Sequence, residues 1–182
     1  YIEQEKTNDV QSAGRVIMAT VKGDVHDIGK NIVGVVMSCN GYDVIDMGVM
    51  VPADQIVRKV KETHADVVGL SGLITPSLEE MANTVKALEQ AHLSLPVLIG
   101  GATTSELHVA LKIAPLYQGM VVWMKDASQS APILSKLMDP GQRAVYKQQL
   151  DAKYEELRQG YHQEQLHLQS LEEARKNKLN LF

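Results

Sequence analysis

Short runs of β-branched residues alternate with amphipathic stretches of helical length between Arg15 and Met138, and this alternation constrains the fold more than any other feature. The apolar runs predict five strands, at 16–21, 43–46, 67–70, 97–99 and 120–123. The amphipathic stretches predict five helices, at 29–40, 53–63, 78–91, 105–113 and 128–138. Strict alternation of strand and helix indicates a parallel sheet with helices on both faces, joined by right-handed crossovers.

The length of this region favours one strand order. Five strands and five helices in about 125 residues predict an α/β fold, a doubly wound five-stranded parallel sheet with the flavodoxin-like (Rossmann-like) order 2-1-3-4-5. In such sheets ligands bind beyond the carboxyl ends of the strands, where the winding reverses. For this order the winding reverses between the first and third strands, so the loops after those strands are the first candidates for a site.

The composition narrows the function classes. The chain has 182 residues, of which 45% are hydrophobic and 22% charged, as in a globular domain. Only 4% are aromatic and the net charge is −4, which argues against nucleic-acid binding by base stacking or by a basic surface. No apolar run approaches the roughly 20 residues that span a bilayer. Cys39 is the only cysteine, which excludes an intrachain disulfide and fits a reducing compartment. Together these two observations predict a cytoplasmic protein without membrane contact.

Both ends of the chain differ from the alternating region. Residues 1–14 are polar and lack periodicity, which predicts a linker, and the missing initiator Met suggests a fragment of a longer protein. Apolar residues in the first half of 139–182 recur at helical spacing and predict one amphipathic helix. After a break at 160–163, the capping-box pair Ser170 and Glu173 predicts a second short helix. This segment is either a solvated tail or a linker that packs on the sheet and leads to a further domain.

The loop after the first strand holds a histidine between two carboxylates. His26 lies two residues after Asp24 and directly before Asp27, with Gly23 and Gly29 on either side. In an ordinary surface loop, one of these aspartates would simply cap the next helix. A carboxylate beside an imidazole also fixes the tautomer of a metal-ligating histidine. One histidine cannot hold a divalent ion alone, and the neighbouring loops offer no second His, Cys or Glu, so a metal at His26 would arrive inside a macrocycle.

The loops after the third, fourth and fifth strands are rich in glycine and polar groups. Three hydroxyl residues fall within 71–77. The last of them, Ser77, forms a capping-box pattern with Glu80 that predicts a helix from Leu78. Gly100 and Gly101 follow the fourth strand, and without Cβ atoms they would leave a slot for a flat group. A Lys-Asp-Ala-Ser run follows the fifth strand. Since these loops meet at one edge of a parallel sheet, they predict a ligand site there.

These residues resemble the signature of base-off, histidine-on cobalamin-binding domains. The matching pattern is Asp24-x-His26-x-x-Gly29, then Ser71-x-Leu73, then Gly100-Gly101, at successive strand ends. Within that class the resemblance extends to the cobalamin-dependent methionine synthases (5-methyltetrahydrofolate–homocysteine methyltransferases), through the segments 19–34, 69–77 and 99–105. The run 170–175 resembles the linker to the activation domain of those enzymes. The resemblance covers nearly the whole chain.

The resemblance implies a cofactor held with its dimethylbenzimidazole tail detached from cobalt and threaded into the sheet domain at 15–138. It implies that His26 is the axial cobalt ligand, that Asp24 accepts the other ring N–H, and that Ser77 hydrogen-bonds Asp24. These three residues would form a ligand and proton relay. The cofactor-binding residues that it implies are Gly23, Asp24, Val25, His26, Asp27, Gly29, Ser71, Leu73, Thr75, Gly100, Gly101 and Ala127.

The same resemblance implies a methyl carrier for methionine biosynthesis. The bound cobalamin (methylcobalamin or cob(I)alamin) would shuttle a methyl group from methyltetrahydrofolate to homocysteine in the full-length transferase. The implied partners are cobalamin and the homocysteine, folate, cap and activation domains of the same enzyme, with zinc and S-adenosylmethionine used in domains absent here. We therefore expect this fragment alone to carry the cofactor and not to turn over.

Three alternatives share parts of the pattern: another cobalamin protein, a receiver-type signalling domain and a flavodoxin-like FMN protein. Cobalamin-dependent mutases and corrinoid shuttles for methanol or methylamines share Asp-x-His-x-x-Gly, but the extended run 71–77 and the tail favour a methionine synthase. A receiver-type signalling domain needs a phosphoacceptor Asp at the end of the third strand, where Ser71 stands. A flavodoxin-like FMN protein needs a phosphate cradle after the first strand, where this loop is acidic and repels phosphate.

Overall fold

The structure, a computed structural model, describes residues 12–166 and contains one parallel sheet. Its strands are β1 (Arg15–Thr20), β2 (Asp43–Asp46), β3 (Val67–Ser71), β4 (Val97–Gly100) and β5 (Val121–Trp123). They pair in the order β2-β1-β3-β4-β5. The predicted fold class and strand order are confirmed, and every predicted strand boundary lies within one residue of the observed one.

Helices connect the parallel strands, and two more helices come after the last strand. They are α1 (Ile28–Cys39), α2 (Ala53–Thr63), α3 (Thr75–Gln90), α4 (Glu106–His108), α5 (Ser130–Met138) and α6 (Pro140–Leu166). A π-helical turn (Val109–Ile113) and a 3₁₀ turn (Ala114–Leu116) extend α4, and another 3₁₀ turn (Ala127–Gln129) precedes α5. Helix α1 packs against α5, and α2 packs against α3. Within residues 12–166 no helix is both long and apolar enough to cross a bilayer.

The core lies on the central strands and is covered from both sides. All residues of β1 after Arg15 are buried, without the alternation of a one-sided sheet. Fully buried side chains of the flanking helices, among them Met37 of α1 and Leu88 of α3, complete the core. Each fully buried aliphatic side chain contributes roughly 1.5–3 kcal/mol. This layered core fixes the carboxyl ends of the strands, and with them the loops that carry the predicted site.

The chain beyond Asp139 is one continuous helix. The Asp139 carboxylate accepts hydrogen bonds from two backbone N–H groups of the first turn, at 2.9 and 3.2 Å, and α6 begins at Pro140. The predicted break at 160–163 is wrong, because α6 continues to Leu166. A glycine inside a helix costs only about 1 kcal/mol, which tertiary contacts can offset. The short helix predicted from Ser170 lies outside the described residues.

Helix α6 is anchored on the β5 edge of the sheet. The buried Tyr154 hydroxyl donates to the Val121 carbonyl at 2.9 Å, and Arg158 Nε donates to the Ala110 carbonyl at 2.8 Å. Each such bond contributes about 1 kcal/mol. Of the two interpretations of this segment, the contacts support packing on the sheet domain over a solvated tail.

Candidate functional site

The predicted site loops meet at the point where the winding of the sheet reverses. Strand β1 pairs with β2 on one side and with β3 on the other. Right-handed crossovers from β1 to β2 and from β3 to β4 leave in opposite directions, so the loops after β1 and β3 separate and open a crevice. The residues that follow these two strands form the polar part of the site.

Asp24 is the centre of this polar network, and its side chain is fully buried. One carboxylate oxygen, Oδ1, lies 2.7 Å from His26 Nδ1 and accepts the His26 backbone N–H at 3.0 Å. The other, Oδ2, accepts from Ser77 Oγ at 2.6 Å. Oδ2 also accepts from the backbone N–H groups of Leu73 at 2.5 Å and Ile74 at 3.3 Å. Such dense pairing compensates the cost of burying a charge.

These donors determine the charge of Asp24. Burial alone would raise the pKa of its carboxyl, but hydrogen bonds from the Ser77 hydroxyl, the Leu73 and His26 backbones and the His26 ring outweigh burial and hold the pKa well below its usual range. Asp24 is therefore ionised at neutral pH. An ionised carboxylate at Nδ1 assigns the ring proton to Nδ1, which makes Nε2 the unprotonated nitrogen of neutral His26. The side chain of His26 is half exposed while Asp24 beneath it is buried.

Ser77 reaches Asp24 from inside α3, and its predicted role as the N-cap of that helix is wrong. Helix α3 begins at Thr75, three residues before the predicted start, and no side-chain cap precedes it. Ser77 is buried, and its hydroxyl donates to the carboxylate instead. Gly72 makes this approach possible, because a Cβ there would lie 2.4 Å from Ser77 Cβ.

A cavity of about 340 Å³ lies between α1 and the carboxyl ends of β3, β4 and β5. The predicted site residues that line it are Gly29, Ser71, Gly100, Gly101 and Ala127. Thr75 does not line it and lies exposed at the first residue of α3. The rest of the wall is largely apolar, with side chains such as Ile32, Val33, Leu98 and Met124. A cavity of this kind suits a flat group of low polarity.

The two glycines at the carboxyl end of β4 have different structural roles. Gly101 has φ +127°, and a Cβ there would lie 1.8 Å from the Gly72 carbonyl oxygen. The nearest atom to a Cβ at Gly100 is the Met124 carbonyl oxygen at 4.0 Å. The expectation that both glycines open a slot therefore fits Gly100, whereas Gly101 lets two backbones touch.

A polar chain from β5 holds the loop of Gly101. The indole Nε1 of Trp123 donates to Thr104 Oγ1 at 3.0 Å, and Thr104 Oγ1 donates to the Gly101 carbonyl at 2.7 Å. Thr104 is buried. These bonds connect the end of β5 to the cavity wall.

The remaining predicted residues surround the histidine. Val25 and Leu73 expose apolar side chains, 59% and 40% of their area, and Gly23 has φ +80°. Asp27 lies at the N-terminus of α1, but its side chain makes no capping bond there and accepts instead from Asn31 Nδ2 at 3.1 Å. The interpretation of the aspartates as helix caps is therefore wrong.

Two of the wall residues that sequence reasoning missed, Lys30 and Gly69, have specific structural roles. Lys30 lines the cavity and is only 2% exposed, with its ammonium on Asp46 and Asn31. The signal was available, because Lys30 is the only charged residue of α1, whose other residues are mainly apolar. Gly69 in the middle of β3 leaves room for Met18, whose Sδ would lie 2.3 Å from a Cβ there. A glycine inside a strand is itself a sign of close approach.

The residues present fit a metal that arrives within a larger cofactor. Among the described residues, no group of three or more His, Cys, Asp or Glu side chains is placed to hold an ion. His26 offers one nitrogen ligand, oriented by a buried carboxylate. At the same edge of the sheet, the cavity has room for a flat organic group.

Fold and site together define a class, the doubly wound ligand-binding domains that hold a cofactor at the reversal of the sheet. Residues 14–121 match the protein family described as the B12 binding domain. The chain belongs to this family, and it is a cobalamin-binding domain.

Solved structures support the same assignment. A novel cobalamin-binding protein from Desulfitobacterium hafniense DCB-2 is 36% identical, with a TM-score of 0.61 over 68% of this chain and 58% of that one. The methanol:cobalamin methyltransferase complex of Methanosarcina barkeri is 25% identical, with a TM-score of 0.66 over 75% of this chain and 52% of that one. The monomethylamine corrinoid protein of Methanosarcina barkeri is 25% identical, with a TM-score of 0.59 over 67% and 57%. The chain spans just over half the length of each.

Proposed function

We propose that this chain holds cobalamin base-off, with His26 on cobalt, as the methyl carrier of a methionine synthase. The observation that carries this proposal is the 2.7 Å contact between His26 Nδ1 and the buried Asp24 carboxylate, at the sheet edge that also holds the apolar cavity. In the full-length enzyme the methyl group would come from methyltetrahydrofolate and go to homocysteine.

Cobalamin, when bound, supplies a cobalt centre that accepts and donates the methyl group. The residues of the chain orient the ligand and manage its proton. Asp24 keeps a proton on His26 Nδ1, so that Nε2 presents its lone pair. If Nε2 instead takes a proton, the same carboxylate stabilises the imidazolium, and Ser77 tunes the carboxylate by donating to its other oxygen at 2.6 Å. We propose catalytic roles for these three residues and a tail-binding role for the cavity that Ser71, Gly100 and Ala127 help to line.

One segment supports the choice of methionine synthase among cobalamin proteins. The run 71–77 resembles those enzymes, and in the structure it supplies the Leu73, Ile74 and Ser77 donors to Asp24. One of the segments that carry the finer resemblance thus also completes the buried network.

A second candidate is a corrinoid carrier that serves a separate methyltransferase subunit, which the similarity to the methanol and monomethylamine proteins favours. Methyl-loaded chain, mixed with a separately produced homocysteine domain of a methionine synthase, distinguishes the two. Transfer to homocysteine supports the first proposal. Failure of that transfer, together with methylation of the reduced, unmethylated cofactor of the chain from methanol or methylamine by the matching methyltransferase subunit, supports the second.

Replacing the proposed ligand tests the cofactor geometry. We expect His26→Gly to abolish the histidine-dependent visible spectrum of bound methylcobalamin and to weaken binding about tenfold or more, because the proposed nitrogen ligand is lost. The measurement is an absorption titration of the 182-residue chain. His92→Gly is the matched control, since His92 is exposed and already has φ +56°. An unchanged spectrum in His26→Gly would show that His26 is not the ligand, and absence of binding by the wild type would refute the carrier function.

A further inference from the structure

Lys30 places a buried cation beside an apolar cavity. Among the residues whose burial is described, Asp24 and Lys30 are the only charged ones that are buried. Lys30 lines the 340 Å³ cavity between α1 and the strand ends, together with mainly apolar neighbours. The other charged residues of the wall, Lys125 and Asp126, are exposed. An unpaired ammonium at such a wall would strongly disfavour an apolar ligand, because the ligand would remove its water. The partners of this ammonium therefore matter for what the cavity can hold.

Those partners use the full donor capacity of the ammonium. Lys30 Nζ lies 2.5 Å from each carboxylate oxygen of Asp46 and 2.8 Å from Asn31 Oδ1. A lysine ammonium has three N–H donors, and these three oxygens satisfy all of them. No N–H donor of this ammonium is therefore left over for the cavity.

Asp46 is itself held in place from outside the cavity. Asp46 is the last residue of β2 and does not line the cavity. Its side chain is half exposed, and its Oδ1 accepts the Gly48 backbone N–H at 2.8 Å. Partial burial would raise the pKa of this carboxyl, but the Lys30 ammonium and the Gly48 N–H hold it below its usual range. It is thus an ionised partner across the neutral range.

We propose that Asp46 is a positioning residue that sets the ligand specificity of the cavity, by holding the Lys30 ammonium out of it so that an uncharged aromatic base can enter. This inference rests on the proposed function, in which the occupant is the dimethylbenzimidazole tail of cobalamin. Without Asp46 the ammonium lacks its counter-charge, and its flexible stem lets it turn toward the cavity.

The test compares two ligands that differ only in the part that the cavity would hold. The full chain is titrated with cobalamin and with cobinamide, which lacks the nucleotide tail. Asp46→Ala is expected to weaken cobalamin binding about tenfold or more and to leave cobinamide binding within about twofold. Lys30→Met keeps an apolar stem without charge and should stay within about threefold of wild type for both ligands. The double variant should recover the affinity of Lys30→Met, because no ammonium remains.

Asp43→Ala is the matched control. Asp43 also lies on β2, but its ion pair is with Arg15 at the other end of the strand, so both ligands should bind it as they bind the wild type. If Asp46→Ala does not fold by circular dichroism, Asp46→Asn replaces it. Asp46→Asn keeps one acceptor, and we expect a smaller loss that is still selective for cobalamin.

Each outcome decides one question. Equal losses for cobalamin and cobinamide, or no recovery in the double variant, would overturn the role of Asp46. If wild type and Asp46→Ala prefer cobalamin to cobinamide by the same factor, the role of Asp46 is overturned and the proposed function stays intact. A wild type that binds both ligands equally would overturn the placement of the tail, and this inference with it.

Discussion

Asp24→Asn is expected to lower the free energy of unfolding by about 3 kcal/mol, since each buried donor or acceptor left unpaired costs about 1–3 kcal/mol. The two carboxylate oxygens of Asp24 accept five bonds within 3.3 Å. An asparagine must turn its NH₂ group toward one set of donors. The Leu73 backbone N–H cannot rotate away, and the Nδ1 proton of His26 would lose its acceptor in the other orientation. For a chain of this length we expect the melting temperature to fall by about 6–12 °C.

Asp27→Asn is the matched control for this variant. Asp27 lies in the same loop, but its carboxylate accepts only from the Asn31 side chain among the described residues. We expect a change below about 0.5 kcal/mol. Urea unfolding followed by circular dichroism measures both variants, and equal stabilities for the two would contradict the central position of Asp24.

The same network predicts the acid dependence of stability. The pKa of Asp24 in the folded protein lies below its ordinary value of 3.8, so the unfolded chain takes up this proton first as the pH falls. The stabilisation is therefore complete above about pH 5 and decreases as acid is added, down through the folded pKa. We expect the stability difference between wild type and Asp24→Asn to shrink between about pH 5 and pH 3. A difference that stays constant over this range would show that the charge of Asp24 contributes nothing.

Gly101→Ala is expected to destabilise the fold by about 3 kcal/mol or more, through backbone strain and steric conflict together. The added Cβ would lie 1.8 Å from the Gly72 carbonyl oxygen, and the residue has φ +127°. Neither side can retreat easily, because Gly72 packs against Ser77 and the Gly101 carbonyl is held by Thr104. Thermal and urea unfolding measure the loss.

Gly100→Ala is the adjacent control, and it separates stability from binding. A Cβ at Gly100 meets no atom closer than 4.0 Å, so we expect unfolding to change by less than about 0.5 kcal/mol. Because Gly100 lines the cavity, the same methyl group should weaken cobalamin binding more than cobinamide binding. Equal destabilisation by the two alanines would mean that the loops after β3 and β4 move apart freely.

The sheet was predictable because its signals are local. The apolar runs of β1 and β3 are continuous, as expected for strands covered on both faces, and their ends lie within one residue of prediction. The helical tail shows the limit of local signals. Gly160 suggests a break, but the helix continues through it, and α6 is anchored upstream by Tyr154 on β5.

The site likewise combines features that are local in sequence with features that depend on long-range packing. The geometry of Asp24 and His26 spans two residues, so their spacing in sequence already places a carboxylate beside the ring. The capping-box pattern at Ser77 is equally local, but it was overridden by a carboxylate 53 residues away. Lys30 was missed because its counter-ion, 16 residues further on, is brought to it only by the packing of α1 beside β2.

Trp123 gives the cavity an optical reporter. It is the only tryptophan in the chain, and it directly precedes the cavity-lining Met124. Its indole N–H donates a hydrogen bond to Thr104, whose hydroxyl donates to the Gly101 carbonyl. Its fluorescence is therefore sensitive to the cavity wall and arises from one position. A corrin absorbs light in the near-ultraviolet and visible range, so its arrival nearby quenches that emission by energy transfer. Occupancy can thus be followed in the unlabelled protein, without a dye and without a substitution.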